Sequence, residues 1–151
     1  MKLLTFAIPC YNSEAYMEKC IESLLPGGDD VEILIVDDGS TDRTAEIADE
    51  YERKYPNIVR AIHKENGGHG DAVTTGIRNA TGLFFKVVDS DDSLAPEAYK
   101  QVLDFLRRIV KKNHELDMLI SNFVYDRHDE NGDVLRQKKS PDPQLRSQSA
   151  C

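Results

Sequence analysis

Val87-Val88-Asp89-Ser90-Asp91-Asp92-Ser93 is the stretch whose reading settles most of this chain. It closes the apolar run Leu83-Phe84-Phe85-Lys86-Val87-Val88, which predicts a short buried strand, since β-branched and aromatic residues suit a packed, pleated surface. Three carboxylates then fall within four residues. In an open α/β sheet, ligands bind just beyond the carboxyl ends of the strands, so the acidic cluster lies where a site belongs. Clustered carboxylate oxygens suit a hard divalent cation such as Mg²⁺ or Mn²⁺. The same residues also suit a solvated acidic turn, with Asp92 or Ser93 capping a helix that starts near Pro96.

Working outward, strand-like and helix-like stretches alternate. Leu3 to Ile8 predicts a first strand ending at Pro9. Met17, Cys20, Ile21, Leu24 and Leu25 then recur at helical spacing, behind Asn12 or Ser13 as a cap and ahead of the Pro26-Gly27-Gly28 stop. Val31 to Val36 predicts a second strand, closed by Asp37-Asp38-Gly39-Ser40. Ser40 or Thr41 is placed to cap a second helix that buries Ala45, Ala48, Tyr51 and Tyr55. Ile58 to His63 is a third strand. A helix over Asp71–Ala80 follows, burying Val73, Gly76, Ile77 and Ala80. Pro96 opens a fourth helix, reaching about Lys112, with Tyr99, Val102, Leu103, Leu106 and Val110 inward. Met118 to Val124 is a fifth strand. This alternation predicts a three-layer α/β/α fold with a mostly parallel sheet. The domain is expected over residues 1–125, with a hairpin over 126–137 turning at Asn131-Gly132 and a poorly ordered tail over 138–151.

At 151 residues the chain makes one domain or part of one, and 40% hydrophobic residues is enough for a core. A net charge of −8 argues against a nucleic-acid backbone as partner. No secretory signal is expected from Met1-Lys2 and the short run that Pro9 stops. No apolar stretch approaches the roughly 20 residues of a membrane span. Cys10, Cys20 and Cys151 are odd in number and lack metal-ligand spacing, so reduced cytosolic thiols are expected, two of them buried. Cys10 has no base at a motif spacing, which favours packing over nucleophilic chemistry.

The first, second and fourth strands each end in a polar tip: Pro9-Cys10-Tyr11-Asn12, Asp37-Asp38-Gly39-Ser40 and Asp89-Ser90-Asp91-Asp92. In a doubly wound sheet all three face one edge. Tyr11 offers a flat face to a base, and Asp38 an acceptor for a base N–H or a sugar hydroxyl. Both also have plain structural readings, Tyr11 as a rim aromatic and Asp37 and Asp38 as turn acceptors. Gly67-Gly68-His69-Gly70 precedes a helix start, an arrangement that cradles phosphates, though it matches neither a dinucleotide fingerprint nor a P-loop. Lys64 and His69 are weaker phosphate candidates.

Four motifs in register, Ile8-Pro9-Cys10-Tyr11-Asn12, Val36-Asp37-Asp38-Gly39-Ser40-Thr41-Asp42, Asn66-Gly67-Gly68 and Val88-Asp89-Ser90-Asp91-Asp92, resemble glycosyltransferase family 2. The resemblance covers about residues 2 to 125. It implies the GT-A fold and an inverting transfer from a nucleoside-diphosphate sugar, UDP-linked by expectation, to an acceptor hydroxyl on a saccharide or lipid-linked carrier. By the same resemblance Pro9 and Tyr11 hold and stack on the uracil. Asp38 bonds the base with Asp37 in support. Gly68 and Asp71 belong to a loop passing close to the nucleotide, a loop whose sequence here departs from the commoner form. Asp89 and Asp91 match the family's D-x-D pair, with Asp91 the main ligand of Mn²⁺ or Mg²⁺, Asp89 reaching the ribose or a metal-bound water, and Asp92 a substitute ligand.

In relatives the general base and the acceptor site lie well past the D-x-D, in a half that this chain does not match. The expectation is therefore a donor-binding fragment with little or no transfer of its own, exposing apolar surface that favours self-association. The resemblance further implies work in cell-envelope polysaccharide or glycolipid assembly, in the cytoplasm or peripherally at the inner face of a membrane. Two other readings compete: a nucleotidyltransferase, which would want a glycine- and arginine-rich loop after the first strand, and a non-catalytic Mg²⁺-binding α/β module, which would want a lysine after a late strand. Neither feature is present.

Overall fold

The computed structural model describes residues 1–119 and, beyond them, the backbone of residues 124–128, 134–139 and 147–148. The chain divides into two compact units, Met1–Arg107 and Arg108–Cys151. In the first, β1 (Leu4–Cys10), α1 (Met17–Leu24), a 3-10 segment (Leu25–Asp30), β2 (Val31–Asp38), α2 (Thr44–Lys54), β3 (Val59–Lys64), α3 (His69–Asn79), β4 (Phe84–Val87) and the start of α4 (Pro96–Lys111) follow in order. The four strands pair in parallel in the order β3-β2-β1-β4, with Ala7 opposite both Leu34 and Val87.

Every residue of β1 and β2 is buried. That is what near-continuous apolar runs predict for parallel strands covered on both faces. Successive side chains alternate between the faces. On the face of Ala7, α3 approaches so closely that a Cβ on Gly76 would lie 2.6 Å from the Ala7 Cβ. Leu34, Val36 and Ala72 form the core there, with Ile62 against it. On the face of Phe6, the Tyr99 ring meets the Phe6 ring edge-on at 5.6 Å, and its hydroxyl donates to the Leu24 carbonyl at 2.8 Å, joining α4 to α1. His63, on that same face, reaches Asp49 of α2. The result is the expected α/β/α layering.

Pro9 sits in a central strand without breaking the ladder. Phe84 N donates to Leu3 O and Val88 N to Ala7 O, so the alternate residues of β1 turn their backbone toward β4. Pro9 falls in that series just past the last residue of β4, where no partner calls for an N–H.

Several local expectations are corrected. β4 is half-buried rather than buried, with Leu83 50% exposed ahead of it, because β4 pairs with β1 alone among the described residues. Asn12 and Ser13 do not cap α1, and Ser40 and Thr41 do not cap α2; neither helix has a side-chain bond from its N-cap residue. The free N–H groups ahead of α2 are met instead by Glu14 Oε2 on Arg43 N at 3.0 Å and Asp42 Oδ1 on Thr44 N at 2.9 Å. In α2, Ile47 is fully inward while Ala45 and Tyr55 are only half-buried. In α3, Ala72 and Gly76 face the sheet; Val73 and Ala80 are half-buried and Ile77 is 56% exposed. In α4, Val102 is half-buried and Val110 exposed.

In the second unit, α4 ends in a Schellman turn. Asn113 takes φ 53°, its N–H donates to Val110 O, and His114 N donates to Ile109 O, both at 3.1 Å. β5 (Met118–Leu119) pairs antiparallel with β8 (Ser147–Gln148), and β6 (Val124–His128) with β7 (Val134–Lys139). Of the strand expected from Met118 to Val124, residues 120–123 lie outside the described residues; Met118 and Leu119 are in β5, and Val124 is the first residue of β6. The turn expected at Asn131-Gly132, and most of the tail expected beyond residue 138, lie outside the described residues.

Candidate functional site

Because the sheet is parallel, the C-terminal ends of β1, β2 and β4 share one edge. The strand order reverses between β1 and β4, and such a reversal opens a crevice above the strand ends. The acidic turn lies directly after β4, at that point. Asp89, Asp91 and Asp92 are exposed, and each offers a carboxylate oxygen within 4.8 Å of the others. Partial desolvation, then the charges of Asp91 and Asp89, push the Asp92 carboxyl above its usual range. Three hard oxygen donors that repel one another fit a divalent cation of the Mg²⁺ or Mn²⁺ kind.

The turn is fastened from beneath. Ser90 Oγ lies 2.9 Å from Ser13 Oγ, both residues buried. The Cys20 thiol donates to Asp89 O at 3.5 Å, Leu94 N to Ser23 Oγ at 3.1 Å, and Asp92 N to Asp89 O at 2.9 Å. With Ser90 held inward, its flanking aspartates are left to solvent.

The β1 and β2 tips are tied by Asn12, which takes the uncommon φ of 49°. Its N–H donates to Ser40 Oγ at 3.0 Å, and its Oδ1 accepts from Thr41 N at 2.8 Å. Tyr11 stands 52% exposed beside it, while Pro9 is buried within β1. Asp37 is buried. Its Oδ1 accepts from Ser40 N and its Oδ2 from the His63 ring, each at 3.0 Å. Asp37, then Asp49, raise the His63 pKa.

Asp38 is 3% exposed and already engaged. Oδ1 accepts from Lys64 Nζ at 2.7 Å and Gly67 N at 2.9 Å, and Oδ2 from Gly68 N at 2.9 Å. Burial alone would raise its pKa, but Lys64 and the two N–H groups outweigh it and hold the carboxyl below its usual range. Lys64 also pairs with Asp71 and donates to the Glu65 carbonyl. Gly68, at φ 93°, makes the entry to α3 that a side chain would strain. The next residue, His69, places Nε2 3.1 Å from Asp89 Oδ1.

The structure therefore brings together Tyr11, Asp37, Asp38, Gly68, Asp71, Asp89, Asp91 and Asp92 at one sheet edge, with Pro9 beneath. Sequence reasoning missed the ties Ser13–Ser90 and Asn12–Thr41, and gave Lys64 as a weak phosphate candidate without its bond to Asp38. These partners are 77, 29 and 26 residues apart, and no spacing rule reports contacts of that kind. Cys10 is a core thiol: burial pushes its pKa well above the usual range, as burial pushes that of Cys20 up to about 12.

Residues 5–148 match the family described as Glycosyl transferase family 2. The chain belongs to glycosyltransferase family 2. EpsJ of Bacillus subtilis, an uncharacterised glycosyltransferase, is 39% identical over 103 residues, covering 68% of this chain and 30% of EpsJ. The chondroitin synthase of Escherichia coli is 40% identical over 107 residues, 70% of this chain and 16% of that protein. Staphylococcus aureus TarS 1-349 in complex with UDP-GlcNAc matches with a TM-score of 0.62 at 33% identity, covering 72% of this chain and 32% of that one. The fold is therefore GT-A. The chain spans about a third of the length of EpsJ and of TarS 1-349. None of these matches supports the nucleotidyltransferase or the Mg²⁺-binding module.

Proposed function

We propose that this family 2 chain binds a UDP-sugar together with Mn²⁺ or Mg²⁺, as the donor-binding part of an inverting glycosyltransferase. The observation that carries this is the acidic triad Asp89, Asp91 and Asp92, its oxygens within 4.8 Å, at the crevice where the strand order reverses. Tyr11 stacks on the base above Pro9 in this reading, which its half-exposed ring at the β1 tip supports. Asp38, with Asp37 supporting its turn, keeps acceptor capacity for one base N–H beyond the three it already receives. Gly68 and Asp71 line the loop against the nucleotide. Asp91 leads the metal set, with Asp89 and Asp92. A cation held there supplies positive charge to the diphosphate that leaves when the sugar is transferred.

TarS, 33% identical, is described in complex with UDP-GlcNAc, which favours a uridine donor. Relatives include the minor teichoic acid biosynthesis protein GgaB of B. subtilis, at 34% identity over 101 residues, and the chondroitin synthase above, which favours an acceptor on a cell-surface polysaccharide or its lipid-linked precursor. No helix among the described residues is long and apolar enough to cross a membrane. A cytoplasmic place, peripheral to the membrane, goes with this reading. We assign no residue of this chain as general base, and expect transfer by these 151 residues alone to be slight.

Calorimetric titration of UDP with and without Mn²⁺, with GDP as control, tests this on the wild type and Asp91→Ala. UDP binding that needs the metal and is lost in Asp91→Ala is expected. Metal-independent binding, or GDP binding as well as UDP, overturns the assignment.

A further inference from the structure

Lys64 ends β3 and faces the site, yet its ammonium is used up. It donates to Asp38 Oδ1 at 2.7 Å, to the Glu65 carbonyl and to Asp71 Oδ2, which accounts for all three of its donors. Its side chain is 17% exposed. Asp38 also accepts from Gly67 N and Gly68 N, each at 2.9 Å, and Asn66 Nδ2 donates to the Asp38 carbonyl at 3.0 Å. Each residue of the loop from Asn66 to Gly68 is thus pinned to Asp38, whose carboxylate is in turn held by Lys64. The loop ends in His69, on Asp89 Oδ1 at 3.1 Å. A continuous series of contacts, Asp71–Lys64–Asp38–Gly67/Gly68–His69–Asp89, links the β2 tip to the acidic turn after β4.

We infer that Lys64 is a positioning residue: with Asp38 and Asp71 it clamps the glycine loop so that His69 holds Asp89, coupling nucleotide binding to metal binding. This rests on the donor-site reading above. Lys64 touches neither nucleotide nor metal. It acts by keeping the two half-sites in one geometry, so that occupation of one preorganises the other.

The readout is the ratio of Mn²⁺ dissociation constants without and with UDP, measured by calorimetry on the whole chain for wild type, Lys64→Met, His69→Ala and the double variant. Thermal melts confirm that each is folded. Should Lys64→Met fail to fold, Asp71→Asn replaces it; that side chain is 51% exposed and its loss leaves Asp38 paired. The wild-type ratio is expected to fall by about fivefold or more in Lys64→Met. His69→Ala should lower it similarly, and the double variant no further, because both changes cut one series of contacts. A folded Lys64→Met with the wild-type ratio overturns the inference, as do losses that multiply in the double variant. Failure of the wild type itself to bind UDP with Mn²⁺ would instead overturn the donor-site reading, so the two failures are distinct.

Discussion

Ser13 and Ser90 meet Oγ to Oγ at 2.9 Å although 77 residues separate them, and both are buried. Ser13 also donates through its backbone: its N–H reaches Thr44 Oγ1 at 2.8 Å, which locks the β1 tip against α2. Removing one hydroxyl leaves the other buried without its partner, which costs about 1–3 kcal/mol. Ser13→Ala is therefore expected to lower unfolding free energy by about that amount in urea titration. It should also weaken Mn²⁺ binding, since Ser90 then no longer anchors the turn that presents Asp89 and Asp91. A variant that loses stability but binds Mn²⁺ as tightly as wild type would show that the serine pair serves packing alone. Glu32 is a second buried tie, at the opposite sheet edge. It accepts from Thr5 Oγ1 at 2.8 Å, Thr81 N at 2.9 Å and Arg60 Nη1 at 3.0 Å, far from the crevice and with no share in it.

At the scale of the element, α3 shows how packing and propensity separate. Gly76 lies where the helix touches β1, and a methyl there would meet Ala7 Cβ at 2.6 Å. Neither backbone nor Ala7 has room to yield, so Gly76→Ala is expected to cost about 1–3 kcal/mol by pushing α3 off the sheet. Gly70 begins the same helix with nothing within 4 Å of an added Cβ and no positive φ. Gly70→Ala is expected to stabilise by about 0.4–1 kcal/mol, by restricting the unfolded chain. Urea unfolding of the two variants checks the pair, and the opposite signs are the diagnostic. The same close approach explains why Ile77 is exposed: a helix lying this near the sheet presents small residues, Ala72 and Gly76, and turns its larger side chain aside.

For the molecule as a whole, charge sets the pH window of stability. Glu32, Asp38 and Asp42 each titrate below the usual range. Burial opposes this in every case, and hydrogen bonds from neighbouring N–H, hydroxyl and cationic groups outweigh it. A depressed folded value means that their contribution is present above their ordinary values, about 4, and is lost as pH falls through the folded ones. His63 has the opposite sign. Asp37 and Asp49 raise its value, so its contribution is full below about 6.5 and is lost as pH rises through the folded value. Thermal melts from about pH 3 to about pH 9 are expected to show a plateau with an acid fall and a gentler alkaline fall. His63→Gln should remove the alkaline fall and leave the acid one. An alkaline fall unchanged in that variant would assign it to another group.

The alternation of apolar runs with helical periodicities was enough to specify a parallel α/β sheet, because each run buries itself locally and right-handed crossovers leave few topologies. The D-x-D turn, the Asp37-Asp38 tip and the glycine loop were legible too, since each is a compact run of unusual residues beside a strand end. The phase of α3, the helix caps and the strand at the sheet's margin were not. Whether Ile77 or Ala72 faces inward depends on how near α3 lies to β1, and whether β4 is covered depends on what pairs beside it. The sequence by itself determined which chemistry stands at the strand ends. Only the tertiary structure decided that Lys64 is already paired, that Ser13 holds Ser90 and that His69 rests on Asp89, because those contacts are made between residues brought together by the sheet, over separations at which periodicity carries no signal.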